Sequence, residues 1–367
     1  MAKNTDLTTA KKRKKDEFYT QVTDIEKELR HYKGQFVGKT VLCNCDDPRI
    51  SGFFKFFSEK FEELGLKKLI ATCYCNTERD LFSLNADDHG ICQVYEGDRN
   101  GNLVVDDEEV AVRRLNGNGD FRSAECIELL KESDIVVTNP PFSLFREFVE
   151  TLFKYDKKFL IIGNVNAISC KGVFERIMNE EMWLGASIHS GDREFGVPED
   201  YPLEAAGCRV DEHGKRFIRV KGVRWFTNLD YRERHEKLIL YRNFNEENYP
   251  RFDNFDAIEV GETTEIPCDY SGVMGVPITF LDKYCPDQFE IVGITKAWFG
   301  AATKHYPRQV QVNPDGTKKE GVSKLNDGAS LCIESPLEKK ACYKVGDRYY
   351  RQVYPRILIR KRKESDK

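Results

Sequence analysis

The run Asp134-Ile-Val-Val-Thr138 has an unbroken apolar, β-branched centre, and it stops at Asn139-Pro140-Pro141-Phe142. An unbroken apolar run of this length reads as a parallel strand buried on both faces. The prolines then end it, because they bring no N–H to a ladder and they stiffen the turn that follows. Three further runs have the same character: Lys39-Thr-Val-Leu-Cys-Asn44, Lys68-Leu-Ile-Ala-Thr-Cys-Tyr74 and Lys158-Phe-Leu-Ile-Ile-Gly163. Helix-length segments separate them, at about 22–32 (capped by Thr23 or Asp24), 51–64 (opened by Ser51 and closed by Gly65), 124–131 and 144–152. Strands alternating with helices predict an α/β fold, a doubly wound sheet with helices on both faces. The stretch from about 85 to 120 is polar and rich in Gly and Asp, and reads as an excursion from that rhythm. After about Tyr241 the helical pattern fades, and Gly, Pro, Tyr and β-branched residues predict a strand-rich second region.

In an open α/β sheet, ligands bind beyond the carboxyl ends of the strands. Asn139 to Phe142 occupy that position. The Asn139 side-chain oxygen and the Pro140 carbonyl can each accept one hydrogen of a planar amino group, while Phe142 stacks on the ring carrying it. Pro141 belongs to the same turn. The plain alternative is an ordinary strand-to-loop turn, which Pro-Pro also marks.

Composition narrows the classes. The chain has 367 residues, 40% hydrophobic and 32% charged, with a formal net charge of −4. No apolar stretch approaches the roughly 20 residues that cross a bilayer, and no apolar core follows the polar amino terminus, so membrane and secretory readings fall away and the cytoplasm is expected. The 12 cysteines should then be thiols. The average charge hides segregation. From Arg209 to Arg242 there are ten Lys/Arg against five Asp/Glu, and from Lys296 to Lys324 six against two. Residues 246–269 reverse this, with eight acidic residues and one basic. Basic runs also stand at Lys11–Lys15 and Arg360–Lys363. A protein that meets phosphate along one cleft can be acidic elsewhere; solvated tails are the simpler reading of each run taken singly.

Other features suit a nucleotide-like cofactor at the strand ends. Cys43-Asn-Cys-Asp-Asp-Pro48 closes the first strand, next to a helix amino terminus, although no glycine fingerprint is present there. Asn118-Gly-Asp-Phe121 offers a carboxylate and a ring, or is simply a surface turn. Cys43/Cys45 and Cys73/Cys75 are not spaced as a closed zinc site, and alternate strand positions put each pair on one face of a pleat, where buried thiols act as small hydrophobes. The six histidines show no ligand spacing, so no metal is expected. Tyr349, Tyr350 and Tyr354 suit strand packing better than base stacking.

The order Asp16-Glu-Phe-Tyr-Thr-Gln21, Leu42-Cys-Asn-Cys-Asp-Asp-Pro-Arg-Ile-Ser51, Asn139-Pro-Pro-Phe142 and Gly222-Val-Arg-Trp-Phe-Thr-Asn-Leu229 resembles the EcoRI-type adenine-specific DNA methyltransferases. Gly272-Val-Met-Gly-Val-Pro-Ile278 and Asp287-Gln-Phe-Glu-Ile-Val-Gly293 extend the similarity over almost all of 16–360. The tetrapeptide is common to many amino-methyltransferases; the cysteine-rich first turn and the Val-Arg-Trp-Phe-Thr-Asn stretch are more specific.

The resemblance implies a Rossmann-like sheet of seven strands, parallel but for one, in a catalytic domain over 16–240. A DNA target-recognition region would span 241–360, with basic tails at 1–15 and 361–367. It implies S-adenosylmethionine as cofactor, with Phe18, Tyr19 and Thr20 near its methionine part and the Asn44–Pro48 loop in place of glycines. Asp46 would pair the ammonium. Asn76 stands about where related folds carry an acidic residue on the ribose, and Asp120 and Phe121 would read the cofactor adenine. Asn139, Pro140, Pro141 and Phe142 would hold the target base, with Trp225 or Phe226 stacked on its far side. Lys296, Lys304, His305, Arg308 and Gln309 are candidate groove contacts, or exposed loop residues. The implied partner is double-stranded DNA, methylated by a monomer in a prokaryotic or phage restriction-modification system with a cognate endonuclease, at a word such as GAATTC. Methylation of RNA adenine or of a protein glutamine uses the same pocket, and is disfavoured by the long second region with its basic segments.

Overall fold

The computed structural model describes residues 18–74, 89–102, 104–189, 191–197 and 207–363. The chain forms two compact units. The first comprises residues up to Ala167 together with Met182–Tyr231, and the second comprises Ile168–Glu181 and Arg232 onward. The division therefore falls at Tyr231/Arg232 rather than near 240, and a piece from mid-chain joins the second unit.

The first unit is built on an eight-stranded sheet. Its strands are β1 (Thr40–Cys45), β2 (Lys68–Cys73), β3 (Ile91–Tyr95), β4 (Val110–Arg114), β5 (Ile135–Thr138), β6 (Lys158–Asn164), β7 (Trp183–Leu184) and β11 (Val223–Thr227), in the order β4-β3-β2-β1-β5-β6-β11-β7. The four apolar runs pair in parallel, β2-β1-β5-β6. On one side β3 runs against β2 and β4 against β3; on the other β11 runs against β6 and β7 against β11. Eight strands with two reversed thus replace the implied seven with one. Beyond the four apolar runs and β11, the sheet takes in the β3–β4 pair inside the polar 85–120 stretch, where β4 is mostly exposed, and the two-residue β7. A separate antiparallel sheet joins β8 (Asp192–Val197), β10 (Arg216–Lys221) and β9 (Arg209–Val210).

Helices cover both faces. On one side α1 (Val22–Leu29) and α2 (Gly52–Glu59) meet the alternate residues Val41, Cys43, Val137, Leu160, Ile162 and Trp225. On the other, α4 (Ala124–Glu132) and α5 (Phe145–Lys154) cover the sheet; Phe145 lies 4.9 Å from Phe226. The expected cap at Thr23 or Asp24 is instead Gln21, without a side-chain bond. Ser51 does cap α2, accepting from Phe53 N–H. The 51–64 segment breaks at Lys60 into α2 and a short α3 (Phe61–Leu64), closed by Gly65 in the left-handed region. A buried Glu28 ties α1 to the chain after β7, accepting from Ala186 N–H and Ser187 N–H at 2.7 Å and from Tyr32 Oη at 2.8 Å.

The second unit is strand-rich. One sheet has the order β12-β13-β20-β14 (Ile258–Glu259, Met274–Pro277, Arg356–Lys361, Phe289–Ile294). The other has the order β16-β15-β18-β19-β17 (Lys318–Glu320, Val310–Val312, Cys342–Val345, Arg348–Gln352, Ser330–Ile333) and is antiparallel throughout. Its helix α6 (Lys171–Met178) comes from the mid-chain piece and buries Val173, Phe174 and Ile177. Among the described residues no helix is long and apolar enough to cross a membrane.

Candidate active site

The carboxyl ends of β1 and β5 are joined directly, because Thr138 Oγ1 donates to the Asn44 carbonyl. The next residue, Asn139, is 5% exposed, and its Nδ2 donates to the Phe18 carbonyl at 2.6 Å. The 18–20 segment is in turn pinned to β8: Tyr19 N–H donates to the Gly196 carbonyl at 2.8 Å and Gly196 N–H to the Tyr19 carbonyl at 3.0 Å. A side chain at Gly52 would strike the Thr20 carbonyl, 2.4 Å from where its Cβ would stand, so the segment lies tightly against the start of α2. The structure thus brings together Phe18, Tyr19, Thr20, Asn44 and Asn139.

Three buried oxygens in this cluster, Thr20 Oγ1, Asn44 Oδ1 and Asn139 Oδ1, have no hydrogen-bond partner among the described residues. Each such acceptor costs on the order of 1–3 kcal/mol unless a donor meets it. A surplus of desolvated acceptors at strand ends suits a ligand rich in N–H groups. The Pro141 carbonyl accepts from Leu144 N–H and so closes the turn into α5; Pro140 is buried, and Phe142 is half-buried with its ring edge-on to Phe18 at 5.6 Å.

Beside this cluster a cavity of about 1410 Å³ is lined by Tyr19, Thr20, Pro48 and Ser51, with Gln93 and the 213–217 turn among its other walls. Asp46 is buried, with Ser51 Oγ 3.5 Å from its carboxylate. Cys45 ends β1 with φ of 82°, a conformation few non-glycine residues adopt. Burial pushes the Cys43 and Cys45 thiols well above the usual range, with Asp46 adding to the effect. They are neutral thiols, poor as nucleophiles. Among the described residues no group of three or more His, Cys, Asp or Glu is placed to hold a metal.

Asp120 sits close by. Gly119 has φ of 80°, and a Cβ there would fall 2.0 Å from the Cys73 carbonyl, so only glycine lets this loop close over the end of β2. The Asp120 carboxylate is held by Arg122 through Nε at 2.8 Å and Nη2 at 2.5 Å. This guanidinium keeps the carboxyl below its usual pKa despite partial burial. Phe121 is buried, edge-on to Phe148 at 5.0 Å. A ligand amine reaching Asp120 shares it with Arg122.

Two expectations need correction. Trp225 and Phe226 are 1% and 0% exposed. Successive strand residues point to opposite faces, and the two rings fill the two sides of the core, against Phe53 and Phe145. Neither offers a face to a base. In the second unit, Gln309 is buried and spent internally, donating to the Tyr306 carbonyl and accepting from Leu325 N–H, both at 3.0 Å. It is a structural residue, not a groove contact. Lys304 is exposed but ion-paired to Asp253 at 2.5 Å; His305 and Arg308 are exposed, and Lys296 is half-buried. Asn76 lies outside the described residues.

Sequence reasoning passed over Thr138 and Glu28. Thr138 looked like any β-branched strand residue, and Glu28 like any helix carboxylate; only the fold supplies their partners.

The family described as adenine-specific methyltransferase EcoRI matches residues 6–362. The Type II methyltransferase M.EcoRI of Escherichia coli is 52% identical over 297 residues, covering 80% of this chain and 90% of the relative. M.MgeORF184P of Mycoplasma genitalium is 41% identical over 288 residues, covering 77% and 84%. M.MpnI of Mycoplasma pneumoniae is 40% identical over 287 residues, covering 77% and 83%. No solved structure matches the chain. With nearly its full length inside the family and the tetrapeptide seated at the end of β5, the chain belongs to the EcoRI family of adenine-specific methyltransferases.

Proposed function

We propose that this enzyme methylates adenine N6 in a short duplex DNA word, using S-adenosylmethionine, after the base has left the helix. The observation that carries the reading is Asn139: its Nδ2 is committed to Phe18, and its Oδ1 is a buried acceptor without a partner among the described residues. That is the arrangement an amino group completes.

An adenine inside a duplex is out of reach, so the base must be flipped at a cost of a few kcal/mol. The flipped ring stacks on Phe142. Asn139 Oδ1 and the Pro140 carbonyl then accept the two N6 hydrogens. Holding both draws the nitrogen from its planar, delocalised form toward a tetrahedral one and exposes its lone pair. Positioning and fixed dipoles supply the rate, and no covalent intermediate on the protein is needed. This agrees with thiols kept neutral by burial. The proton is lost after transfer, when the amine has become acidic, so no dedicated base is required.

The site fits S-adenosylmethionine, which when bound supplies an electrophilic methyl. Thr20 Oγ1 and Asn44 Oδ1 are acceptors awaiting N–H donors, and Asp46 suits an ammonium. Phe18 and Tyr19 would border its methionine part, and Asp120 and Phe121 its adenine. Helices on both faces of a sheet with four central parallel strands support the Rossmann-like reading. The second unit, strand-rich and locally basic, would read the target as a DNA-recognition region. One site acting on each strand of a palindrome in turn needs only a monomer, and the Type II relatives suggest a cognate endonuclease.

The test is methyl transfer from labelled S-adenosylmethionine to unmethylated genomic DNA, followed by modification-resolved sequencing. N6-methyladenine confined to one short motif supports the reading and supplies the word. Label appearing only in RNA or in protein glutamine overturns it.

A further inference from the structure

A second cleft, of about 710 Å³, lies wholly within the second unit. Four separated stretches wall it: Glu180 after α6, the segment Arg234 to Lys237, Pro286 to Gln288, and Lys361 to Lys363. Five of its residues are Lys or Arg (Arg234, Lys237, Lys361, Arg362, Lys363) against two acids, Glu180 and Asp287. Both acids are already engaged. Glu180 meets Arg234 at 3.4 Å and Arg362 at 3.1 Å, and Asp287 lies 3.2 Å from the His235 ring nitrogen. Arg234 has a side chain only 7% exposed, so its charge sits in a wall where water screens it poorly.

We propose that this cleft holds the sugar-phosphate backbone of the DNA substrate, with Lys237, Lys361 and Lys363 as phosphate contacts. The inference rests on the DNA-methylating reading above. Three positive charges beyond those the two carboxylates answer, gathered around a groove, create a local potential that a phosphodiester neutralises. The volume is far larger than one phosphate group requires and suits a run of backbone. The carboxyl-terminal basic run thereby becomes part of a built surface. Arg362 is anchored, donating from Nε to the Pro286 carbonyl at 2.7 Å and from its backbone N–H to the Gln288 carbonyl at 2.9 Å. That anchoring fixes the lysines on either side of it. Lys361 Nζ also donates to the Cys268 carbonyl, a neutral partner that leaves its charge uncancelled. Contacts of this kind carry affinity and register rather than base identity.

The test compares the full-length wild type with the double variant Lys237→Ala/Lys363→Ala, both exposed positions, by duplex binding at several salt concentrations. The expected result is weaker binding, with the log–log salt slope shallower by roughly 0.9 for each phosphate that is no longer neutralised. An unchanged thermal midpoint shows that the variant is folded. Equal affinity and equal slope overturn the proposal, as does a variant that loses affinity for inorganic phosphate alone while duplex binding persists. A wild type that binds no duplex at all sinks the DNA reading itself, which is a separate result.

Discussion

The Asn139 amide nitrogen donates to the Phe18 carbonyl over 2.6 Å, and that bond leaves the amide oxygen as the end with no partner among the described residues. A carbonyl can take only a donor, so the amide cannot flip without setting two oxygens against each other. Asn139→Ala should therefore lower kcat by about a hundredfold or more while duplex binding persists, in line with removal of one preorganised polar group. Single-turnover methylation beside a binding titration checks it. Undiminished methylation would remove Asn139 from the chemistry.

Phe142 should show a different signature. Base–aromatic stacking contributes roughly 1–3 kcal/mol per base. Phe142→Ala should accordingly weaken capture of the flipped adenine by about ten- to a hundredfold, chiefly in KM, with Phe142→Trp restoring most of it. A loss confined to kcat would argue that the ring supports Phe18 instead of the base.

Glu28 carries the largest stability prediction. Removing its carboxylate takes the acceptor away from the part-buried Ala186 and Ser187 N–H groups and from the buried Tyr32 hydroxyl. Three unmet donors at about 1 kcal/mol or more each put Glu28→Ala near 3 kcal/mol or more of destabilisation in urea melts, and Glu28→Gln at clearly less.

Asp120 makes a pH prediction. Its folded pKa lies below the ordinary carboxylate value, first because of the Arg122 guanidinium. A depressed carboxyl contributes stability above its unfolded pKa and loses it as pH falls through the folded one. Stability attributable to Asp120 should thus be flat through neutrality and fade only below about pH 4. Comparing acid unfolding of wild type and Asp120→Asn isolates it; a difference that titrates near neutrality would contradict the pairing with Arg122.

Local pattern made the parallel core legible. The apolar runs at 40–45, 68–73, 135–138 and 158–164 are buried along nearly their whole length, and so few residues can be so apolar only as central strands. The β4 strand escaped because edge strands face solvent and carry charge: Val110–Arg114 is almost entirely exposed. The place of Asn139, just beyond the end of β5, was readable from its neighbours in sequence, since proline follows it at once. Its bond to Phe18 was not, because it spans 121 residues and depends on how the chain folds back. Trp225 and Phe226 misled for a related reason. An aromatic pair beside a polar stretch looks like a stacking platform, but strand alternation sends one ring to each side of the sheet.

The excursion of residues 168–181 into the second unit has a consequence for modularity. The chain leaves the first unit after Ala167, contributes α6 to the second, and returns at Met182. In the second unit Phe174 meets Trp298 at 6.0 Å and Phe299 at 5.8 Å. A fragment cut after Tyr231 would keep α6 but lose those partners, and one beginning at Arg232 would keep the aromatic pair without Phe174. Recombination at a single crossover cannot exchange one unit intact. Shuffling between relatives must carry the short helix and the long carboxyl-terminal part as a matched pair.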